Sequence, residues 1–505
     1  MIGAFAALLA SIAFVPLDDR PVTAELPLML GRIAGVHVDM PPPELIGHYL
    51  TQGRPDSIVV WLNQRSSDKA TRAFVVSSDM LAYGGLLASR VPGVTYTDAY
   101  FRLKELAHLR AKRPDAWIAT FGTVMRLAPT GVPSTAAYFA PYPVWSYLQQ
   151  YANLHDPPLP NEAARAAHLR SLIGDATFDA YIATRARNLE VDRLLLGMAA
   201  DGTIDRLVLG QDDAGPVGLH VREVTWLQSV VAQDPAMAQR ASIEPGADEL
   251  GMALVAHALA REAQWVPRVA VRYSTPNGAS FQDPLEFAPI SSAIEGLVRL
   301  CGGVLDDDRP DVTLFVRIPR TTVVQDDAFA DAMTSDVNAG GSVALADLSY
   351  LASYSSQAAF AERILASGTA AKLDAYSSWN TNANTVGTAL AEAVAAGAGR
   401  RMHTYDALAH RTFTFVRFVD DYAYHDFVRP DLNGNLDAQG VTDHTLLPPQ
   451  TAAASAGRDR ALLWNRAAAI LAQLYPGYHI AALSIGLPWD RTFETSVDVG
   501  IAPDL

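Results

Sequence analysis

The chain has 505 residues, half of them hydrophobic and 18% charged, which is the composition of a folded globular protein long enough for one large α/β unit or two to three domains. Its formal net charge of -15, with basic residues scattered rather than clustered, argues against nucleic acid as a partner. The single cysteine, Cys301, excludes an internal disulfide and reads as a buried small hydrophobe, and the twelve histidines show no metal-ligand spacing.

The apolar start, MIGAFAALLASIAFVP, has the character of a signal-peptide core. No Lys or Arg precedes it, however, and it runs straight into IAFVPLDD. Residues 12–17 are therefore read as the first core strand, and the residues before them as a leader remnant or a start-site extension. No apolar run reaches the ~18 residues that a membrane helix needs.

Short runs rich in Val, Ile and Phe then recur, each followed by polar residues and a helical pattern: FVVSSDM, WIATFGTVMR, RLVLGQDD, VAVRYS, TLFVRIP, VALADLS and LDAYSSWN, with HVDMPP and ASIEPGADE as weaker members. Helical patterns fall at residues 95–113, at 163–198 with a break near Gly174, at 247–261 and at 383–396. This alternation predicts parallel strands with helical crossovers. The expected fold is α/β, with a (β/α) barrel-like parallel core over residues 12–400 and a C-terminal α+β addition over 401–505. The alternative is a two-domain doubly wound α/β arrangement, because there are more runs than an eight-stranded barrel uses. Within the addition, a helical stretch near residues 406–427 leads to a Pro/Asn/Gly loop at 430–434. A polar linker at 448–457, a helix at 458–475 and two antiparallel strands in HIAALSIGLPWDRTFETSVDV follow.

In parallel α/β folds ligands bind beyond the carboxyl ends of the strands. The residues found there are Asp18, Asp19 and Arg20; Asp79 with Tyr83; Asp212 and Asp213 in LGQDDAGPVG; Asp248 and Glu249 in PGADELG; Tyr273; Asp347; and Tyr376, Trp379, Asn380, Asn382 and Asn384 in AYSSWNTNANTVG. One acidic strand end commonly just caps the next helix, and Arg20 can equally be half of a structural ion pair. Several carboxylates converging on one pocket would repel, an arrangement usually kept for catalysis or ligand recognition. The adjacent pair Asp212–Asp213 can divide two roles, and amides beside a flat indole suit a hydroxylated ligand such as a sugar. Asp420 and Asp421, in a helical pattern, read as a solvated face. No GxSxG, HExxH, phosphate-cradling loop or GxGxxG is found, and no cofactor is implied.

The blocks PLDDRP, SSDMLAYGGLLASR, LGQDDAGPVG, PGADELG and AYSSWNTNANTVG, with PWDRTFE near the end, resemble the signature blocks of a bacterial family of unknown function. QDDAG followed by a Trp-Asn strand end is also similar to the β-N-acetylhexosaminidases of the O-GlcNAc-hydrolase type. That resemblance implies that Asp212 orients and polarises a substrate acetamido group, that Asp213 is the general acid/base and that Asn380 binds the sugar. The expected function is a glycoside hydrolase acting on a small carbohydrate substrate, with Asp212 and Asp213 catalytic and Asp19, Asp18 or Asp79 as the alternative partner across the pocket. Two other readings stay open. One is a hydrolase with Mg²⁺ or Mn²⁺ held by Asp18, Asp19, Asp79 and Asp212; the other is a non-catalytic sugar-binding protein.

Overall fold

A computed structural model describes residues 10–128, 142–212, 215–348 and 357–504. The chain is α/β, built on two parallel sheets and one small antiparallel sheet. The first sheet contains β1 (Ser11–Val15), β2 (His37–Asp39), β3 (Thr71–Ser77), β4 (Trp117–Val124), β5 (Arg206–Gln211) and β6 (Ala241–Pro245), in the order β2-β1-β3-β4-β5-β6. The second contains β7 (Arg268–Tyr273), β8 (Val304–Leu305), β9 (Val312–Arg317), β10 (Val343–Asp347) and β11 (Ala375–Ser377), in the order β11-β10-β9-β7-β8. At the C-terminal end β12 (Tyr478–Gly486) and β13 (Ser496–Pro503) pair antiparallel, as the alternation of the tail predicts.

Every run picked out above is a strand, but the strands do not close into one barrel. They form two open parallel sheets. On β1, Ile12 and Phe14 face one core while Ala13 and Val15 face another; Ala73 and Val75 oppose Phe74 and Val76 on β3 in the same way. On β10, Ala344 and Ala346 face inward while Val343 and Leu345 face the far side. Both faces of each sheet are therefore apolar and must be covered by helices, as in doubly wound sheets.

The two sheets share a single inner core. The helix Leu250–Glu262 lies within it and is apolar almost all round, the pattern of a buried helix. The helix Asn382–Met402 lies beside it and is rich in Ala and Gly. Small residues let backbones approach closely: a Cβ on Gly399 would stand 2.9 Å from Ala34 Cα and 3.0 Å from the Ile33 carbonyl oxygen. The break near Gly174 is observed, with φ +89 there between helices Pro160–Ile173 and Asp175–Ala200.

Two expectations in the C-terminal addition are corrected. Residues 430–434 are not a loop but part of the helix Arg429–Ala438, and residues 448–457 are not a linker but the opening turns of the helix Pro449–Leu474. In both, proline sits in the first helical turn, where its missing N–H is no loss. Among the described residues, no helix is long and apolar enough to cross a membrane.

Gly399→Val should drive the helix Asn382–Met402 away from the helix Glu25–Ala34, with a loss of about 1–3 kcal/mol. The check is a lower urea midpoint at an unchanged m-value.

Candidate functional site

Beyond the carboxyl ends of strands from both sheets lies a cleft of about 350 Å³, within the size range of small-ligand sites. Arg20 enters it from the end of β1, Arg90 from the chain after β3, Arg126 from β4, Asp212 from β5, and Ala247 and Asp248 from β6. Asn380 and Asn384 enter from the second sheet, after β11. Tyr49 and, from the C-terminal addition, Thr445, Trp489, Arg491 and Phe493 complete the wall. A larger hollow of about 620 Å³ runs along the edge strand β6, and none of the nominated residues lines it.

Arg20 organises the floor. Its Nε and Nη2 donate to Asp18 at 3.0 and 2.8 Å, and its Nη1 and Nη2 donate to Asp248 at 3.0 and 2.6 Å. Thr23 Oγ1 donates to Asp18 at 2.6 Å. Burial pushes the Asp18 carboxyl up, but the charge and hydrogen bonds of Arg20 outweigh it and hold the group below its usual value. Asp248 goes the other way: burial raises it, Arg20 only partly offsets this, and the charges of Asp18 and Asp212 add to the rise. One guanidinium thus serves two carboxylates, and the one that also feels the charge of Asp212 is shifted upward. Asp212 is paired instead with Arg90.

Trp489 closes the cleft from the addition. It is buried, its Nε1 donates to Asp19 Oδ1 at 2.7 Å, and its ring stacks on Tyr49 with centroids 4.9 Å apart. The guanidinium carbons of Arg20 and Arg491 lie 4.8 and 4.5 Å from its centroid. Trp489 and Asp490 both hold positive φ, +59 and +49. Two adjacent non-glycine residues in that region represent stored strain of about 1–3 kcal/mol each, of the kind found at ligand clamps.

Of the nominated residues, Arg20, Asp212, Asp248, Asn380 and Asn384 line this cleft. Asp18 backs it through Arg20, and Asp19 lies at its rim between Trp489 and His48. Asp213 lies outside the described residues. The others are placed elsewhere. Asp79 is buried behind Arg90, and Tyr83 is buried under Arg187, whose guanidinium carbon lies 4.4 Å from its ring. Glu249 is fully buried and accepts from the Ala247 N–H at 3.1 Å; burial holds its carboxyl well above the usual range. Tyr273 lines a separate hollow near Phe315 and Phe329. Asp347 is buried against Arg317, with Nη1 at 3.1 Å, and Tyr376 stacks on Phe418 at 3.9 Å. Asn382 is buried in the first turn of its helix.

Trp379, nominated to stack on a sugar, is instead a core residue, because its Nε1 donates to Thr388 Oγ1 at 3.1 Å within the shared core. Asp420 and Asp421 are not solvated. They are buried in a π-helical segment, Phe418–Val428, and paired with Arg417 at 2.6 and 3.0 Å. Burial pushes them up to about 7 and about 6.

Sequence reasoning missed Tyr49, Arg90, Arg126, Trp489, Arg491 and Phe493 as site residues. PWDRTFE holds Trp489, Arg491 and Phe493 in one block, as PLDDRP holds Arg20, but nothing local says where that block packs. The donor set does not favour the metal reading. Asp18 is committed to Arg20, Asp212 to Arg90, and no group of three or more His, Cys, Asp or Glu among the described residues is arranged to hold a metal ion.

Burial also raises Asp79 to about 7 from 3.8, against the pull of Thr123, Ser89 and Arg90. Between those values the folded chain holds a proton that the unfolded chain releases, so this group erodes stability as pH rises through that window and no further above it. Asp79→Asn should therefore shrink the loss of stability between about pH 5 and pH 8. Urea midpoints of both proteins at the two pH values test this, and an unchanged difference would refute it.

No curated protein and no solved structure matches the chain. A family model described as "Protein of unknown function (DUF4127)" matches residues 12–498, and the chain belongs to that family.

Proposed function

We propose that the chain is a glycoside hydrolase whose substrate sits in the cleft under Trp489. The observation that carries this reading is the placement of two carboxylates, Asp212 and Asp248, in one wall of the cleft, each held by its own arginine. Glycosidic cleavage needs a protonated acid at the leaving oxygen and a charged group that meets the oxocarbenium-like centre or activates its attacker. Asp248, raised by burial, is suited to the first role, and Asp212, facing the Arg90 guanidinium, to the second.

Trp489 and Tyr49 supply an aromatic wall for the apolar face of a sugar ring, and Asn380 and Asn384 supply amides that both donate and accept toward hydroxyls. A cleft at the small end of the ligand-site range suits one ring with its substituents. For a substrate with an acetamido group, Asp212 would orient that group while Asp248 remains the acid.

A panel of aryl glycosides that includes N-acetylhexosaminides, assayed in chelator, tests this. Turnover is expected, and Asp248→Asn should lower kcat/KM by about 10²–10⁴-fold, with retention of the fold checked by circular dichroism because the substitution also loosens the ion pair with Arg20. Trp489→Ala should raise KM by about tenfold or more as the ring platform is lost. Absence of turnover across the panel, or full activity in Asp248→Asn, would sink the proposal.

A further inference from the structure

We infer that the hollow along the edge strand β6 is a docking groove for an extended, uncharged segment of a partner protein, which joins the first sheet as an added strand. This is independent of the reading of the cleft.

The first observation is the path of the hollow. β6 ends its sheet and has β5 on one side only. All of its residues, Ala241 to Pro245, line the hollow of about 620 Å³. Successive strand residues point to opposite faces, so consecutive ones can share a hollow only along the edge. Helices wall both faces. Ala241 and Ile243 pack with Val224, Leu227 and Met237, from the helices Leu219–Gln233 and Pro235–Arg240. Glu244 turns the other way: a Cβ on Gly296, in the helix Ile290–Leu300, would stand 1.9 Å from its Oε2. Val231, Ala232 and Ala238 reach the hollow from the first wall, and Ser292, Glu295 and Arg299 from the second. The edge is the floor of a groove between helices.

The second observation is what that floor offers. The Gly246 N–H donates to the Gln211 carbonyl at 3.0 Å, which fixes the phase of the parallel ladder between β5 and β6. Ser242 and Glu244 therefore turn their backbone groups to β5, and Ala241, Ile243 and Pro245 turn theirs to the groove. The Ala241 N–H is taken by the Met237 carbonyl, and Pro245 has no N–H. The Ile243 N–H and the carbonyls of Ala241, Ile243 and Pro245 remain, and among the described residues no partner takes them. Ile243 is only 7% exposed, and buried backbone groups are nearly always paired. At β11, an edge strand of the second sheet, the chain supplies acceptors itself: the Tyr376 N–H donates to Glu392 at 3.1 Å and the Ser378 N–H to Asp421 at 2.7 Å.

One donor and three acceptors spaced along an edge are the complement of another strand's backbone. A second copy is a poor occupant. Its own β6 would lie equally deep between helices, so the two edges could not meet, and chains of net charge -15 repel. The charged side chains that line the groove are Arg206, Arg299, Glu244 and Glu295, two of each sign, and Arg299 donates to Glu295 at 2.7 Å. A balanced groove suits an uncharged guest. Guest side chains level with Ala241 and Ile243 would face Val231, Ala232 and Ala238, and those between would face Ser292, Glu295 and Arg299. The guest thus alternates small apolar with polar residues.

The test selects a phage-displayed library of random eight-residue peptides on the intact chain and synthesises the enriched sequences. These should alternate apolar and polar residues and lack charge. Ala232→Trp and Ser292→Trp, at exposed positions on opposite walls, should each weaken binding about tenfold or more by filling the groove. Methylating every second backbone nitrogen of the peptide should cost about tenfold in one register and little in the other, because only alternate N–H groups face β6. Bound peptide should slow hydrogen exchange of the Ile243 amide by about tenfold or more. Failure to enrich any peptide, binding indifferent to both tryptophans, equal losses in the two methylation registers or unchanged exchange at Ile243 would each overturn the inference. A dimer in sedimentation that Ala232→Trp dissolves would overturn it in favour of a second copy.

Discussion

The site hangs on the guanidinium of Arg20, which bridges Asp18 at the end of β1 and Asp248 at the end of β6. In the sheet order β2-β1-β3-β4-β5-β6 these strands are four steps apart, about 19 Å at the usual strand spacing. Asp18 lies three residues past Val15 and Asp248 three past Pro245, so each loop spans about 10 Å when extended. The two loops must therefore reach toward each other over the carboxyl edge of the sheet, and the Arg20 side chain closes the remainder. A buried ion triad of this kind returns little net stability, since desolvating three charges offsets most of their attraction. What it supplies is position: it roofs the sheet and turns Asp248 into the same cleft as Asp212.

That roof is also where the two sheets meet. Asn380, after β11, holds φ +52 and faces the cleft, while its neighbour Trp379 turns into the core. The helix that follows directs its N-terminus toward the same region, and the Ala383 N–H donates to Glu286 at 2.7 Å. The partial positive charge of a helix start favours the acidic side chain placed there. The cleft thus draws its residues from nearly the full length of the chain, from Arg20 to Phe493.

The α/β class was legible because a strand buried on both faces is a continuous apolar run, and each such run ends in polar residues where the chain leaves the sheet. Closure was not legible. Whether parallel strands form one barrel or two sheets depends on which helices pass between them, and the Ala/Gly-rich helix Asn382–Met402 carries no local mark of its place at the centre. The site was half legible for the same reason. Strand-end acids stand out in sequence, so Arg20, Asp212 and Asp248 were within reach. Trp489 was not, because it sits in a turn between β12 and β13 whose alternation describes a hairpin and says nothing of what its tip touches. Trp379 and Trp489 are each followed by a polar residue, Asn380 and Asp490, and only the tertiary fold decides which indole lines the cleft and which finds Thr388. Asp420 and Asp421 misled through local polarity: adjacent carboxylates look solvated unless an arginine three or four residues earlier is buried with them, as Arg417 is.

The C-terminal addition is a structural part of the cleft, and its attachment explains how strained residues persist there. The Tyr49 hydroxyl donates to the Thr445 carbonyl at 2.8 Å, and the Trp489 indole donates to Asp19 at 2.7 Å, each bond joining the first sheet's loops to the addition. Within the addition, the Leu447 N–H donates to the Asp490 carbonyl at 2.7 Å, and the Tyr424 hydroxyl donates to the Thr492 carbonyl at 2.8 Å. The segment that carries Trp489, Arg491 and Phe493 is therefore pinned from both sides before any ligand arrives. A site whose side chains are locked by their neighbours loses little entropy on binding, so its hydrogen bonds and ring contacts are available to discriminate between ligands. The positive φ at Trp489 and Asp490 is the counterpart of that rigidity: the surrounding bonds over-determine the turn, and the strain they absorb fixes an indole and a guanidinium against each other at the mouth of the cleft.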